Sequence, residues 1–179
     1  MSGQMLRLFF ALNMDRSARR EIVRLQTRMW GEGARGLTHP ENLHLTLAFL
    51  GNTDPARLEE LRQIMDRLDF SPLSLRFDRI GVFHQGGGDV WWLGMGENRE
   101  LQSVQAKLTK ELGRAAFPVE ERNFIPHLTL ARKVRPKVMP KDGKVPRLIS
   151  AKIGRVSLMR SQQIDGKTEY SELMNTGRN

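Results

Sequence analysis

The pentapeptide His-Leu-Thr-Leu-Ala occurs twice in this 179-residue chain, at His44 to Ala48 and again 83 residues later at His127 to Ala131. On a β-strand successive side chains point to opposite faces, so each copy puts its histidine and threonine on one face and its leucines on the other. A single His-x-Thr on a strand is ordinarily structural, because threonine favours strands and histidine tolerates partial burial. Exact duplication argues otherwise. A cleft lined by two imidazoles and two hydroxyls suits acid-base chemistry at phosphorus: one neutral imidazole takes a proton from the nucleophile while the other, protonated, gives one to the leaving oxygen. Histidine serves either role because its unperturbed pKa of about 6.5 lies near working pH. The hydroxyls of Thr46 and Thr129 can hold phosphoryl oxygens.

Competing chemistries lack their residues. The chain has no cysteine, so thiolate nucleophiles, disulfides and cysteine zinc ligands are excluded. Each motif offers one histidine, which is thin supply for a zinc site. An adenylating ligase needs a lysine two residues before an Asp-Gly pair, but Pro140 and Gln163 stand there, and no GxxxxGK[ST] loop exists. No cofactor and no metal are therefore expected. An RNA-binding module without turnover is the alternative from another class, and two intact histidine motifs argue against it.

Composition points to the substrate. Twenty-nine Lys and Arg against twenty Asp and Glu give a formal net charge of +9, which favours a polyanionic partner, nucleic acid first. Ten basic residues and one acid lie between Arg132 and Arg160, a run that can guide a phosphate backbone or simply be solvated. The opening residues have no secretory pattern and no apolar stretch reaches membrane-spanning length, so a cytoplasmic protein with no membrane partner, and a monomer, is expected.

The positioning elements follow from periodicity. Leu6 to Leu12 reads as a strand, and Asp15 as the N-cap of a helix running to Trp30, with Ala18, Ile22, Leu25 and Met29 as its inner stripe. Leu43 to Leu50 reads as the first motif strand, in which Leu43, Leu45, Leu47 and Phe49 alternate with His44, Thr46, Ala48 and Leu50, with Leu43, Leu45 and Leu47 buried behind and Gly51 closing it. Asp54-Pro55 opens a second helix with Leu58, Leu61, Met65 and Leu68 in phase. Strands at Leu73 to Phe83 and Val90 to Met95, a helix carrying Leu101, Val104, Leu108 and Leu112, and the second motif strand at His127 to Arg132 come next. A Pro/Lys-rich loop over Arg135 to Pro146, strands near Leu148 to Arg160 and Lys167 to Leu173, and a frayed end over Asn175 to Asn179 complete the chain. Context repeats with the motifs. An aromatic strand and a helix precede each histidine, with Phe10 lying 34 residues before His44 and Trp92 lying 35 before His127. One domain over 1–179 with a duplicated strand-helix-strand unit, its motifs at 44–47 and 127–130, is the consequence.

These residues resemble the two-histidine phosphoesterase superfamily, whose signature is a pair of His-x-Thr-x motifs about eighty residues apart. Within it, the segments RLFFAL, NLHLTLAFLG, WWLGM and PHLTLAR look like the bacterial RNA 2',3'-cyclic phosphodiesterases, also called 2'-5' RNA ligases. The resemblance implies a bilobal α+β fold with two antiparallel sheets around a central cleft. It implies hydrolysis of RNA 2',3'-cyclic phosphate ends, on tRNA halves or small cyclic nucleotides, to 2'-phosphates, with reversible ATP-independent 2'-5' ligation. By the same resemblance His44 is the proton donor, His127 the acceptor, Thr46, Thr129 and Arg132 phosphate ligands, and Phe10 an aromatic near the cleft. Arg132 poses a geometric difficulty: five residues from His127, it should point to the opposite face of an ideal strand. Phe9 is expected in the core, Trp92 in either place, and His39 and His84 in loops.

Overall fold

The architecture, taken from a computed structural model, is described for residues 4–120, 122–139 and 141–177, apart from the Lys141 side chain. Strand β1 (Leu6–Asn13) leads into helix α1 (Arg16–Trp30), and β2 (His44–Thr53) carries the first motif. A 3-10 turn (Pro55–Arg57) opens α2 (Leu58–Arg67), followed by β3 (Leu73–Phe83), β4 (Val90–Gly94) and α3 (Arg99–Arg114). The second motif forms β5 (His127–Arg132), and β6 (Lys144–Ile153), β7 (Ser157–Ile164) and β8 (Lys167–Asn175) end the chain. No helix among the described residues is long and apolar enough to cross a membrane.

The strands lie in the order β6-β3-β4-β5-β2-β1-β7-β8, every neighbouring pair antiparallel. Two four-stranded halves make up this order. They join at one pairing, Leu45 with Leu128, the second residues of the two pentapeptides. Both leucines are fully buried, as are Leu43 and Leu130, so the leucine face of the motif strands forms the floor of the common core. Ala18, Ile22, Leu25 and Met29 of α1 and Leu101, Leu108 and Leu112 of α3 belong to the same core, as their spacing requires. The His and Thr face is thereby left free on the other side.

Helix α1 is fixed at its start by Asp15. Its carboxylate accepts from Ser17 N at 2.8 Å and Ala18 N at 2.9 Å, and its second oxygen accepts from Lys152 N on β6 at 2.6 Å. Burial alone would raise the Asp15 pKa, but the three backbone donors outweigh it and hold it below the usual carboxylate value. At the other end, buried Gln26 donates to the carbonyls of Thr38 at 3.0 Å and Leu130 at 2.8 Å. A polar residue on the inner face of the helix thus ties α1 directly to the second motif strand.

Several expectations need correction. Gly51 does not close the first motif strand: β2 runs on to Thr53, with Gly51 at φ +67°. Leu50 has no partner of its own in the ladder with β1, because Leu8 faces Gly51 and Phe9 faces Phe49, and glycine accommodates the resulting bulge. The Pro/Lys-rich loop is shorter than expected, since β6 begins at Lys144, and the stretch to Arg160 is two strands broken after Ile153. Asn175 is not frayed: it pairs with Ser157, and Thr176 N donates to Val156 O at 2.9 Å, while Arg178 and Asn179 lie outside the described residues.

Replacing Asp15 with Ala removes a helix cap and the bond to β6 together, and should cost about 2 kcal/mol of stability at neutral pH. The folded-state pKa is depressed, so this contribution is present above the unfolded pKa and is lost as pH falls through the folded value. Urea unfolding of the two proteins should therefore differ at pH 7 and converge in acid. Equal midpoints at pH 7 would contradict the assignment of Asp15 as a structural tie.

Candidate active site

In an antiparallel pair centred on Leu45 and Leu128, His44 stands beside Thr129 and Thr46 beside His127. The histidines then lie on a diagonal of roughly 7–8 Å by the ordinary spacing of such neighbours. All four side chains line one open cleft of about 640 Å³, together with Arg132. The structure thus brings together His44, Thr46, His127, Thr129 and Arg132, five of the six candidate residues.

Each imidazole is held in the same way. His44 Nδ1 lies 2.7 Å from the carbonyl of Asn42, and His127 Nδ1 lies 2.8 Å from the carbonyl of Ile125, two residues back in both cases. A carbonyl only accepts, so both Nδ1 atoms carry hydrogen and both Nε2 atoms remain for chemistry. Aromatic rings flank each histidine. Phe9 lies 5.0 Å and Tyr170 5.2 Å from His44, ring centroid to centroid, while Phe83 lies 5.2 Å and Trp92 6.2 Å from His127. Trp92 stacks on Phe83 over a bed of two glycines: a Cβ at Gly81 or at Gly94 would overlap the indole. Tyr170 and Phe83 escaped notice in the sequence because neither lies near a motif.

Electrostatics distinguish the histidines. Burial pushes the His44 pKa down from 6.5 to about 4; the Asn42 carbonyl opposes this, and the charges of Arg132 and His127 add to it. His44 is therefore neutral at pH 7. An anion bound between these groups would reverse the sign of the local field.

Arg132 reaches the cleft by a bulge. Trp92 faces Thr129 and Trp91 faces Ala131, which leaves Leu130 as an extra residue in β5. Leu130 and Ala131 are consecutively buried, so the alternation slips by one and Arg132 returns to the face of Thr129, its Nη2 3.5 Å from Thr129 Oγ1. The same slip occurs in β2, where Phe10 faces Ala48 and Ala11 faces Thr46, leaving Leu47 extra. Phe49 is thereby turned out of the core row in which its alternation had put it, and is 46% exposed in the cleft wall.

Phe10 is the candidate that the structure removes. It is fully buried in the main core, while Phe9 is buried as expected, in a smaller cluster with Ala11 and Met159, and also lines the cleft beside His44. The spacing agrees once Phe9 is used, since Phe9 and Trp92 each precede their histidine by 35 residues. Of the ten basic residues from Arg132 to Arg160, only Arg132 lines this cleft; Arg155 pairs with Glu172 at 3.3 Å, and the side chain of Lys141 lies outside the described residues. His39 caps the 3-10 turn Pro40–Asn42 and His84 meets Asp89 at 2.9 Å, both in loops. No cluster of three or more His, Cys, Asp or Glu that could hold a metal ion occurs among the described residues.

The fold is that of known phosphoesterases. A crystal structure of a phosphoesterase superposes with a TM-score of 0.84 at 27% identity, covering 96% of this chain and 97% of the other. The apo crystal structure of Escherichia coli LigT gives 0.82 at 26% identity, with 97% of each chain covered. The chain matches the 2'-5' RNA ligase superfamily over residues 14–165 and belongs to that family. Its relatives include the RNA 2',3'-cyclic phosphodiesterase of Archaeoglobus fulgidus, 30% identical over 73% of this chain and 74% of that protein. That of Escherichia coli is 29% identical over 93% of each.

Two titrations check the electrostatics. The His44 imidazole, followed by NMR, should titrate near 4 in the free protein and move upward when inorganic phosphate is added. Because its folded pKa lies below the unfolded one, its contribution to stability is complete above about pH 6.5 and is lost as pH falls toward 4, so His44→Gln should flatten that limb of the stability curve. A free-protein value near 6.5 would contradict the burial argument.

Proposed function

We propose that this chain is an RNA 2',3'-cyclic phosphodiesterase in which His44 and His127 act as an acid-base pair on opposite sides of one phosphorus. The observation that carries the reading is the matched anchoring of both Nδ1 atoms on the i−2 carbonyls, which turns both Nε2 atoms toward one cleft. In hydrolysis, neutral His127 takes a proton from water at Nε2 as the water attacks phosphorus in line. Protonated His44 gives its Nε2 proton to the departing 3' oxygen, and the phosphate stays on the 2' oxygen. Thr46, Thr129 and Arg132 hold the non-bridging oxygens, where charge grows in the transition state. His44 gains its proton when the substrate binds, because the phosphodiester anion offsets the burial and the Arg132 charge that otherwise keep it neutral.

The same geometry would also serve ligation. If a 5'-hydroxyl of a second RNA replaces water, the identical proton transfers yield a 2'-5' phosphodiester and a free 3'-hydroxyl. The strained cyclic phosphate supplies the driving force, so no ATP enters, and the reverse reaction uses the 3'-hydroxyl as nucleophile. Substrates are RNA ends such as those of tRNA halves, or small 2',3'-cyclic nucleotides, turned over by a monomer without metal. The pairing of Leu45 with Leu128 and the mirrored strand order support a duplicated unit within one two-lobed domain, with the cleft on its pseudo-twofold axis.

An oligonucleotide ending in a 2',3'-cyclic phosphate should yield a 2'-phosphate end, at a rate unaffected by exhaustive chelation. A 3'-phosphate product would reverse the leaving group, and activity abolished by chelator and restored by a divalent metal would sink the two-histidine mechanism. Arg132→Ala should lower kcat/KM by about 10²–10³-fold and move the His44 limb of the pH profile upward without abolishing it, because the Arg132 charge helps to hold that pKa down. Full activity of that variant would return Arg132 to the solvated charges.

A further inference from the structure

Phe49 and Arg132 come directly after the two pentapeptides, in HLTLAF and HLTLAR, and the same bulge turns both into the cleft. One half of the molecule thus presents a guanidinium where the other presents a phenyl ring. Among the large apolar side chains that the described residues leave well exposed, Phe49 is the one aromatic. It does not pack on a histidine, as Phe9 does. Instead the Arg7 guanidinium carbon lies 4.7 Å from its ring centroid, and Arg7 also lines the cleft. Arg7 and Phe9 are two residues apart on β1 and share the cleft face, so a row runs from the ring beneath His44 outward to the Arg7–Phe49 pair. Thr46 and Phe49 face Ala11 and Phe9, two residues apart on β1 because Leu47 is bulged, so the pair stands about 7 Å further along the strands than Thr46, about the spacing of one further nucleotide.

We infer that Arg7 and Phe49 form a subsite for the nucleotide on the 5' side of the terminal one, Phe49 stacking its base and Arg7 meeting the phosphate that links it to the terminal ribose. An exposed aromatic beside an arginine is the usual means of holding single-stranded RNA without reading its sequence. The cleft extends in this direction: beyond His127, Thr129 and Arg132 its walls come from β1, β2 and the β7–β8 hairpin, with Thr38 and Asn42 from the segment before β2. A mononucleoside cyclic phosphate does not reach the subsite. An RNA end does, and the subsite makes the enzyme prefer an RNA end to a small cyclic nucleotide.

This inference rests on the cyclic phosphodiesterase reading, and the experiment separates the two. kcat/KM is measured for a mononucleoside 2',3'-cyclic phosphate and for a dinucleotide ending in the same group, with the parent protein, Phe49→Ala and Arg7→Gln, after thermal melts show that each is folded. The parent should prefer the dinucleotide. That ratio should fall about tenfold in Phe49→Ala, by the usual worth of a base-aromatic contact, and by a smaller, salt-dependent factor in Arg7→Gln. Hydrolysis of both substrates without a dinucleotide preference, or with a preference that survives both substitutions, overturns the subsite and leaves the enzymatic reading standing. No hydrolysis of either substrate by the parent protein overturns the reading and the subsite with it.

Discussion

The site depends on the backbone pairing of Leu45 with Leu128. It joins the two halves of the sheet at equivalent positions of the two motifs, and both side chains are wholly buried on the helix-covered face. Because strand side chains alternate, burial of these leucines obliges the histidines and threonines on either side of them to face the cleft. A slip of one residue in this pairing would bury the polar set and expose the leucines, so the hydrophobic core itself enforces the register of the chemistry. The helices support it from behind, α1 through Asp15 at its start and Gln26 near its end.

Around this seam the halves are alike in plan and unlike in chemistry. Each holds a histidine by the carbonyl two residues back and packs aromatic rings beside it. The residue directly after the pentapeptide is phenylalanine in the first half and arginine in the second. Burial is also unequal, and it drives the His44 pKa down to about 4. An acid-base pair needs its members in opposite protonation states, and because this burial favours neutral His44, a donor role for it requires a bound phosphate anion to raise its pKa.

Much of this was legible in the sequence. The repeated pentapeptide gave the strand, its faces and the residues that meet, and the i, i+3, i+4 spacing in α1 and α3 gave the helices that cover it. What alternation cannot reveal is a bulge. Leu47, Leu50 and Leu130 are ordinary strand leucines by type, yet each is an extra residue in its ladder, and the parity of everything beyond shifts. That is why Arg132 reaches the cleft against ideal geometry and why Phe49 leaves the core row, whereas Phe9 shares the face of His44 by plain alternation from the Asn13–His44 pair. Tyr170 was equally hidden, because it arrives on β8 at the far end of the chain and meets His44 only through the order of strands.

The central claim is that His44 and His127 work as one unit on one phosphorus, and a double-mutant cycle tests it most directly. Rates on a 2',3'-cyclic nucleotide are compared for the parent, His44→Ala, His127→Ala and the double variant, each verified as folded. Each single change should cost about 10²–10⁴-fold, and the double variant should be little worse than either, because removing one partner already disables the pair. Losses that multiply in the double variant, or a folded single variant with near-parental hydrolysis, would contradict the account.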